Sequence, residues 1–225
     1  MSCLPKPFYD RDGITIYNAD CRDVLPFVEC DCVVTDPPYG IKLRNGDVDG
    51  HRSDTWDSIA GDEDQTVGLH VLDWAEKKQL PLIAFASPWK PLPGYAMNII
   101  AWDKGGSVGG GGDITTCLKR TWELVQVYRN KRIEGSRIGS VWRFPLTPQE
   151  TRSHICRKPV ALMSELISKF MADCNVVFDP FMGSGPTLVA ARMLGKSVIG
   201  CDVEERHCEF AAESLRSGVQ SLMFT

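Results

Sequence analysis

The sequence predicts an α/β fold built on a layered, mostly parallel sheet. Two observations carry this. Short apolar, β-branched runs recur along the chain and alternate with helical segments. Two of those runs also end in residues suited to a ligand, and in parallel sheets ligands bind beyond the carboxyl ends of strands.

The runs read as buried strands are residues 14–17, 32–35, 82–86, 98–102, 124–128, 176–178 and 197–200. Helical spacing of apolar residues covers 66–78. A second helix is expected over 158–171, with Pro159 in its first turn and Leu162, Leu166 and Phe170 on one face. A third, 186–194, opens on Pro186 and stops at Gly195.

At 225 residues, with 43% hydrophobic and 24% charged, the chain fits one globular domain, 1–225. No apolar run approaches the roughly 18 residues of a membrane span. The first seven residues hold no apolar stretch of an export signal, so a cytoplasmic protein without a membrane partner is expected. Nine cysteines without a C-x-x-C pair, and four histidines without paired spacing, predict free thiols and no metal.

Net charge is −4, but it is unevenly spread. Residues 1–103 carry 9 Lys/Arg and 17 Asp/Glu, 104–158 carry 11 and 4, and 159–225 carry 5 and 8. A basic middle segment in an acidic chain is a local footprint for a polyanion. A merely solvated face would give the same charge pattern.

The run 32–35 leads into Thr35-Asp36-Pro37-Pro38-Tyr39-Gly40. Two prolines cannot continue a central strand, so they fix a stiff corner. Asp36 and the backbone carbonyls there can accept hydrogen bonds, and Tyr39 offers a face for stacking. A planar ring with an exocyclic amino group needs these features.

The run 176–178 leads into Asp179-Pro180-Phe181-Met182-Gly183-Ser184-Gly185-Pro186. Here Gly183 and Gly185 allow close backbone approach, and the following helix start favours an anionic group. The next strand ends in Asp202, 17 residues past Gly185, near the spacing of an acid that holds ribose hydroxyls. Strand, Gly-x-Gly, helix, strand and acid in this order point to an adenosine-type cofactor.

These motifs resemble the amino-group DNA methyltransferases dependent on S-adenosylmethionine, of the β arrangement. In that family the catalytic Asp-Pro-Pro-Tyr precedes the cofactor Phe-x-Gly-x-Gly, as Asp36–Tyr39 precedes Phe181–Gly185 here. The resemblance implies a Rossmann-like methyltransferase sheet with helices on both faces and a permuted motif order. It assigns catalysis to Asp36, Pro37, Pro38 and Tyr39. It places Asp36, Asp179, Phe181, Gly183, Gly185 and Asp202 at the cofactor. Asn18-Ala19-Asp20-Cys21 resembles the family's Gly-Asp-Cys element, giving Asp20 the adenine of the cofactor. The segment from His154 to Pro159 resembles a His-Pro-Thr-Gln-Lys-Pro element near the methionine end, matching at His154, Lys158 and Pro159. Residues 100–104 and Trp122-Glu123 resemble later strands of the same sheet.

The implied reaction moves a methyl group from S-adenosylmethionine to an exocyclic amine of a base flipped from DNA. Within the family, Asp at the first motif position goes with N6 of adenine and Ser with N4 of cytosine, so Asp36 implies adenine. Lys104, Arg129, Lys131, Arg132, Arg137 and Arg143 are expected to contact DNA, with 129–153 as a short target-recognition insert. Trp142 fits that surface and the core equally well. A short insert implies a short or degenerate target. The loops 44–64 and 105–112 are expected to close over the base. Family members often form homodimers, and restriction-modification, orphan and phage roles are all compatible with the sequence. Other readings are an N4-cytosine, RNA or protein-glutamine amino methyltransferase, and a non-catalytic DNA-binding subunit.

Overall fold

The computed structural model describes residues 3–41, 60–105, 118, 121–130, 132–146 and 158–223. Nine strands among them form one sheet. In chain order these are β1 (Tyr9–Arg11), β2 (Ile14–Asn18), β3 (Cys32–Thr35), β4 (Leu82–Ala86), β5 (Asn98–Asp103), β6 (Trp122–Tyr128), β7 (Val141–Arg143), β8 (Val176–Asp179) and β9 (Ser197–Asp202). Their spatial order is β1-β2-β9-β8-β3-β4-β6-β5-β7. All neighbours from β2 to β4 are parallel, while β1 and β6 run against the rest.

All seven expected strands form, lengthened by up to two residues at an end. They read clearly in the sequence because central parallel strands are buried on both faces. Every residue of β3 and of β4 is buried.

The helices cover both faces. They are α1 (Cys21–Val24), α2 (Thr66–Lys77), α3 (Val160–Phe170), α4 (Pro186–Met193) and α5 (Glu205–Met223). On one face, Leu162, Leu166 and Phe170 of α3 pack with Leu188 of α4, Ala211 and Leu215 of α5, and Val34, Phe85 and Trp102 of the sheet. On the other, Val24 of α1 and Val71 and Ala75 of α2 meet Val33, Ala84 and Phe178. The alternation Val33 down, Val34 up is the pleat of a strand buried twice over. No helix among the described residues is long and apolar enough to cross a membrane.

Helix α3 starts two residues later than expected, at Val160. Lys158 precedes a proline and is pushed out of helical geometry by the Pro159 ring. That leaves Lys158 free to point elsewhere, as described below. Trp142 belongs to the core: it is buried and stacks on Phe170, ring centroids 6.0 Å apart at 19°.

Strands β8 and β9 close tightly over the start of α4. A Cβ added to Gly200 would run into Met182 Sδ and Leu188 Cδ2. Gly200→Ala is therefore expected to cost about 1–3 kcal/mol of stability by overpacking. Urea unfolding beside the parent protein measures it.

Candidate active site

Strands β3 and β8 lie side by side, and their carboxyl ends carry the two motifs. From β8 the chain winds one way into β9, and from β3 the other way into β4. This is the switch point of the sheet, where a crevice opens between neighbouring loops.

The Asp36-Pro37-Pro38-Tyr39 corner leaves β3 directly. Gly40 ends it at φ +66°, where a side chain would be strained. Its amide donates to Asp62 Oδ1 (2.7 Å), and its carbonyl accepts from Lys90 Nζ (2.8 Å). The corner is thus pinned at its far end.

Tyr39 turns back on the strand. Its hydroxyl is 2.7 Å from Asp36 Oδ1 and 3.0 Å from Glu123 Oε2. Lys158 Nζ lies 2.5 Å from Asp36 Oδ2 and 3.1 Å from Glu123 Oε2. Lys104, just past β5, forms an ion pair with the other Glu123 oxygen. Beneath, Lys158 sits 5.0 Å from the Phe85 ring centroid and 5.9 Å from that of Trp102. Two acids, two lysines and a phenol therefore form one network on an aromatic floor.

The electrostatics follow from this packing. Burial pushes the Asp36 carboxyl up; Lys158 opposes the shift and the Glu123 charge adds to it. Burial also works against ionisation of Glu123, but Lys158 and Lys104 outweigh it and hold that carboxyl at about 2. Tyr39 is raised well above its ordinary value by burial and by the two acids. Asp36 keeps 26% of its side chain open to solvent, whereas Lys158 keeps 6%. Asp36 is thus the member of the pair that faces outward to solvent.

The second motif lines the other side of the crevice. Asp179 is buried, accepts from Thr35 Oγ1 (2.8 Å) and from the Phe181 amide (3.1 Å), and is raised to about 7 by burial. It ties β8 to β3 at the base of the crevice. Gly183 and Gly185 both take positive φ, +50° and +80°. A Cβ on Gly185 would sit 2.8 Å from that of Ala211, whereas one on Gly183 would meet nothing within 4 Å. Open space therefore faces Gly183. Between them Ser184 Oγ is buried without a hydrogen-bond partner among the described residues. An orphaned hydroxyl in a glycine turn at a helix start fits a polar nucleoside cofactor.

Asp202 is drawn into this turn. Its Oδ2 accepts from the Gly183 amide (3.0 Å), and its Oδ1 lies 3.0 Å from His207 Nδ1. Asp20 stands on the neighbouring strand end, since β2 pairs Asn18 with Asp202. It caps α1, accepting from the Arg22 amide (2.9 Å), and its hydrogen bond to the Arg22 guanidinium holds it below the usual carboxylate range.

The structure thus brings Asp36, Tyr39 and Lys158 into one cluster, and Asp20, Gly183 and Asp202 into a second one beside it. Lys158 bonds to Asp36 itself. Glu123 had no signal in the sequence beyond its place in a strand, because its partners arrive from three other segments. His154 and Lys131 lie outside the described residues, as do most of loops 44–64 and 105–112.

The basic residues divide between the two edges of the sheet. Lys104 and Arg143 are on the carboxyl edge, with Lys104 bound to Glu123 and exposed Arg143 3.7 Å from Asp103. Because β6 runs backwards, Tyr128 pairs with Leu82 at the start of β4. Arg129 and Arg132 therefore sit at the opposite edge, and Arg137 precedes β7 on that side too.

Known proteins resemble this chain in both sequence and shape. The profile of the N6/N4 methyltransferase family, described as DNA methylase, matches residues 115–213. The type II methyltransferase M.ScaI of Streptomyces caespitosus is 24% identical over 265 residues, covering 97% of this chain and 86% of its own. The solved M1.HpyAVI–SAM complex superposes with a TM-score of 0.60 at 20% identity, over 89% of this chain and 98% of that one. PvuII DNA methyltransferase, cytosine-N4-specific, gives 0.63 at 13% identity over 94% and 96%. Residues 115–213 thus match the amino-group (N6/N4) DNA methylases, a family that takes its methyl group from S-adenosylmethionine, and over nearly its whole length the chain is similar to type II DNA methyltransferases.

Proposed function

We propose that the protein methylates N6 of adenine in DNA, on a base flipped into the crevice in front of Asp36. The observation that carries this reading is Asp36 itself, an acceptor at a strand end, a quarter open, with Tyr39 folded beside it. An amino nitrogen conjugated to a purine is a weak nucleophile, because its lone pair is shared with the ring. Asp36 accepts an N–H bond as that nitrogen becomes tetrahedral and positive, which stabilises charge as it develops. S-adenosylmethionine, when bound, would supply a methyl group activated on a sulfonium and would leave as the neutral thioether, and the methylated amine would give its extra proton to solvent.

Gly183, Gly185, Phe181 and Asp179 would hold the methionine end and Asp20 and Asp202 the adenosine end, with the orphaned Ser184 hydroxyl available between them. For the phosphate backbone, Arg143 on the site's own edge is favoured over Arg129, Arg132 and Arg137, a strand length away.

The test is incubation of the protein with S-adenosylmethionine and unmethylated DNA of mixed sequence, followed by digestion and mass spectrometry of the nucleosides. N6-methyladenine is the expected product. N4-methylcytosine would keep the chemistry and replace the base. Methylation of RNA alone, or of nothing despite cofactor binding, would overturn the reading.

A further inference from the structure

Each donor next to Asp36 touches two acids. The Tyr39 hydroxyl has one proton but lies 2.7 Å from Asp36 Oδ1 and 3.0 Å from Glu123 Oε2. Lys158 Nζ is divided in the same way, 2.5 Å from Asp36 Oδ2 and 3.1 Å from the same Glu123 oxygen. A lysine held this close to Asp36 neutralises the charge that must favour a cationic nitrogen. An incoming amino group also competes with both donors for the Asp36 oxygens. We propose that Glu123 is a positioning residue that takes over Tyr39 and Lys158 when the substrate amine takes Asp36, so that the Asp36 charge is released to the reacting nitrogen.

The geometry suits that role. Glu123 Oε2 already lies within reach of both donors, so the exchange needs only a shift of a few tenths of an ångström. Lys104 holds the opposite oxygen of Glu123 and keeps its charge in place. Strand pairing of Glu123 with Trp102 sets the backbone rigidly. The charged and titratable groups facing Asp36 among the described residues are Tyr39 on its own loop, Glu123 on β6, Lys158 before α3 and Asp179 at the end of β8. Among the described carboxylates, removing the Glu123 charge leaves Asp36 as the one paired with Lys158.

This inference rests on the proposed methyl transfer, and its test separates the two. Glu123→Gln keeps the shape and removes the charge. Single-turnover methylation of whichever base the parent modifies should fall roughly 100-fold, with cofactor affinity near the parent's and a Tm lowered by the lost pairing with Lys104 and Lys158. The acid limb of its pH profile should move to lower pH, because a like charge beside Asp36 is gone. Glu123→Asp should keep the parent's limb. The Asp36 carboxyl, followed by carbon NMR without any turnover, should titrate lower in Glu123→Gln than in the parent, and this readout holds even if the substrate has been misjudged. An unmoved titration, or a rate loss matched by lost cofactor binding, would make Glu123 a structural residue and overturn the proposal.

Discussion

Asp36→Ala is expected to lower methyl transfer by roughly 10²–10³-fold, the usual loss when a preorganised hydrogen-bonding partner of a developing charge is removed. Cofactor binding should weaken far less than turnover, because Asp36 is one expected cofactor contact among several and Asp20, Asp202 and the glycine turn form a separate cluster. The fold should persist as well. Lys158 loses one partner but keeps Glu123 at 3.1 Å, so no buried cation is stranded. Asp36→Asn sharpens the comparison, because it keeps an acceptor oxygen while losing the charge. A loss similar to that of alanine would mean that charge, not hydrogen bonding alone, drives the step. Labelled methyl transfer to DNA, beside calorimetric titration with S-adenosylmethionine, measures both quantities. Near-parent turnover by Asp36→Ala would remove the corner from the mechanism.

Trp102→Ala is expected to give the largest loss of stability, about 3–5 kcal/mol, or roughly 10 °C in Tm. The indole is 1% exposed and meets Phe85 edge to face, centroids 6.0 Å apart at 86°. Its Nε1–H donates to the Phe144 carbonyl at 2.9 Å, which ties β7's end to β5. It also underlies Lys158 and Lys104, at 5.9 and 5.4 Å from its ring. A cavity there lowers the floor of the charged network, so activity at low temperature should fall along with Tm. Trp102→Phe, which keeps much of the volume but loses the N–H, should cost less. Calorimetry on the three proteins decides this, and an alanine variant within about 1 kcal/mol of the parent would show that the site collapses freely.

The parts legible in the sequence were those with a period or a composition of their own. Buried strands such as 82–86 read as unbroken apolar runs, and Pro186 with Gly195 bracketed α4. What was missed lacked such a signature. Strands β1 and β7 have three residues each and lie at the sheet's edges, with mixed exposure. Helix α1 is one turn, visible only through its Asp20 cap. Helix α5 is amphipathic, and Cys208, Ala211, Ala212 and Leu215 at helical spacing were the available sign. The Asp-Pro-Pro-Tyr corner and the glycine turn stand out in the sequence because their chemistry is dense in one stretch. Glu123, by contrast, reaches Tyr39 and Lys158 only when β6 is laid antiparallel beside β4 and β5, so that its first residues arrive at the carboxyl edge. The same reversal carries Arg129 and Arg132 away from the crevice, which no count of basic residues could reveal.

The pairing of β3 with β8 also governs when this molecule can fold. Thr35 and Asp179, bonded at the centre of the sheet, stand 144 residues apart in the chain. Strand β2 has β9 as its inner neighbour, so it waits for residues up to Asp202. A nascent chain emerging from the ribosome cannot close the middle of its own sheet until residues 176–202 have been made. Until then β2 lacks its inner neighbour and β3 one of its two, and pairings of such high sequence separation are expected to slow folding.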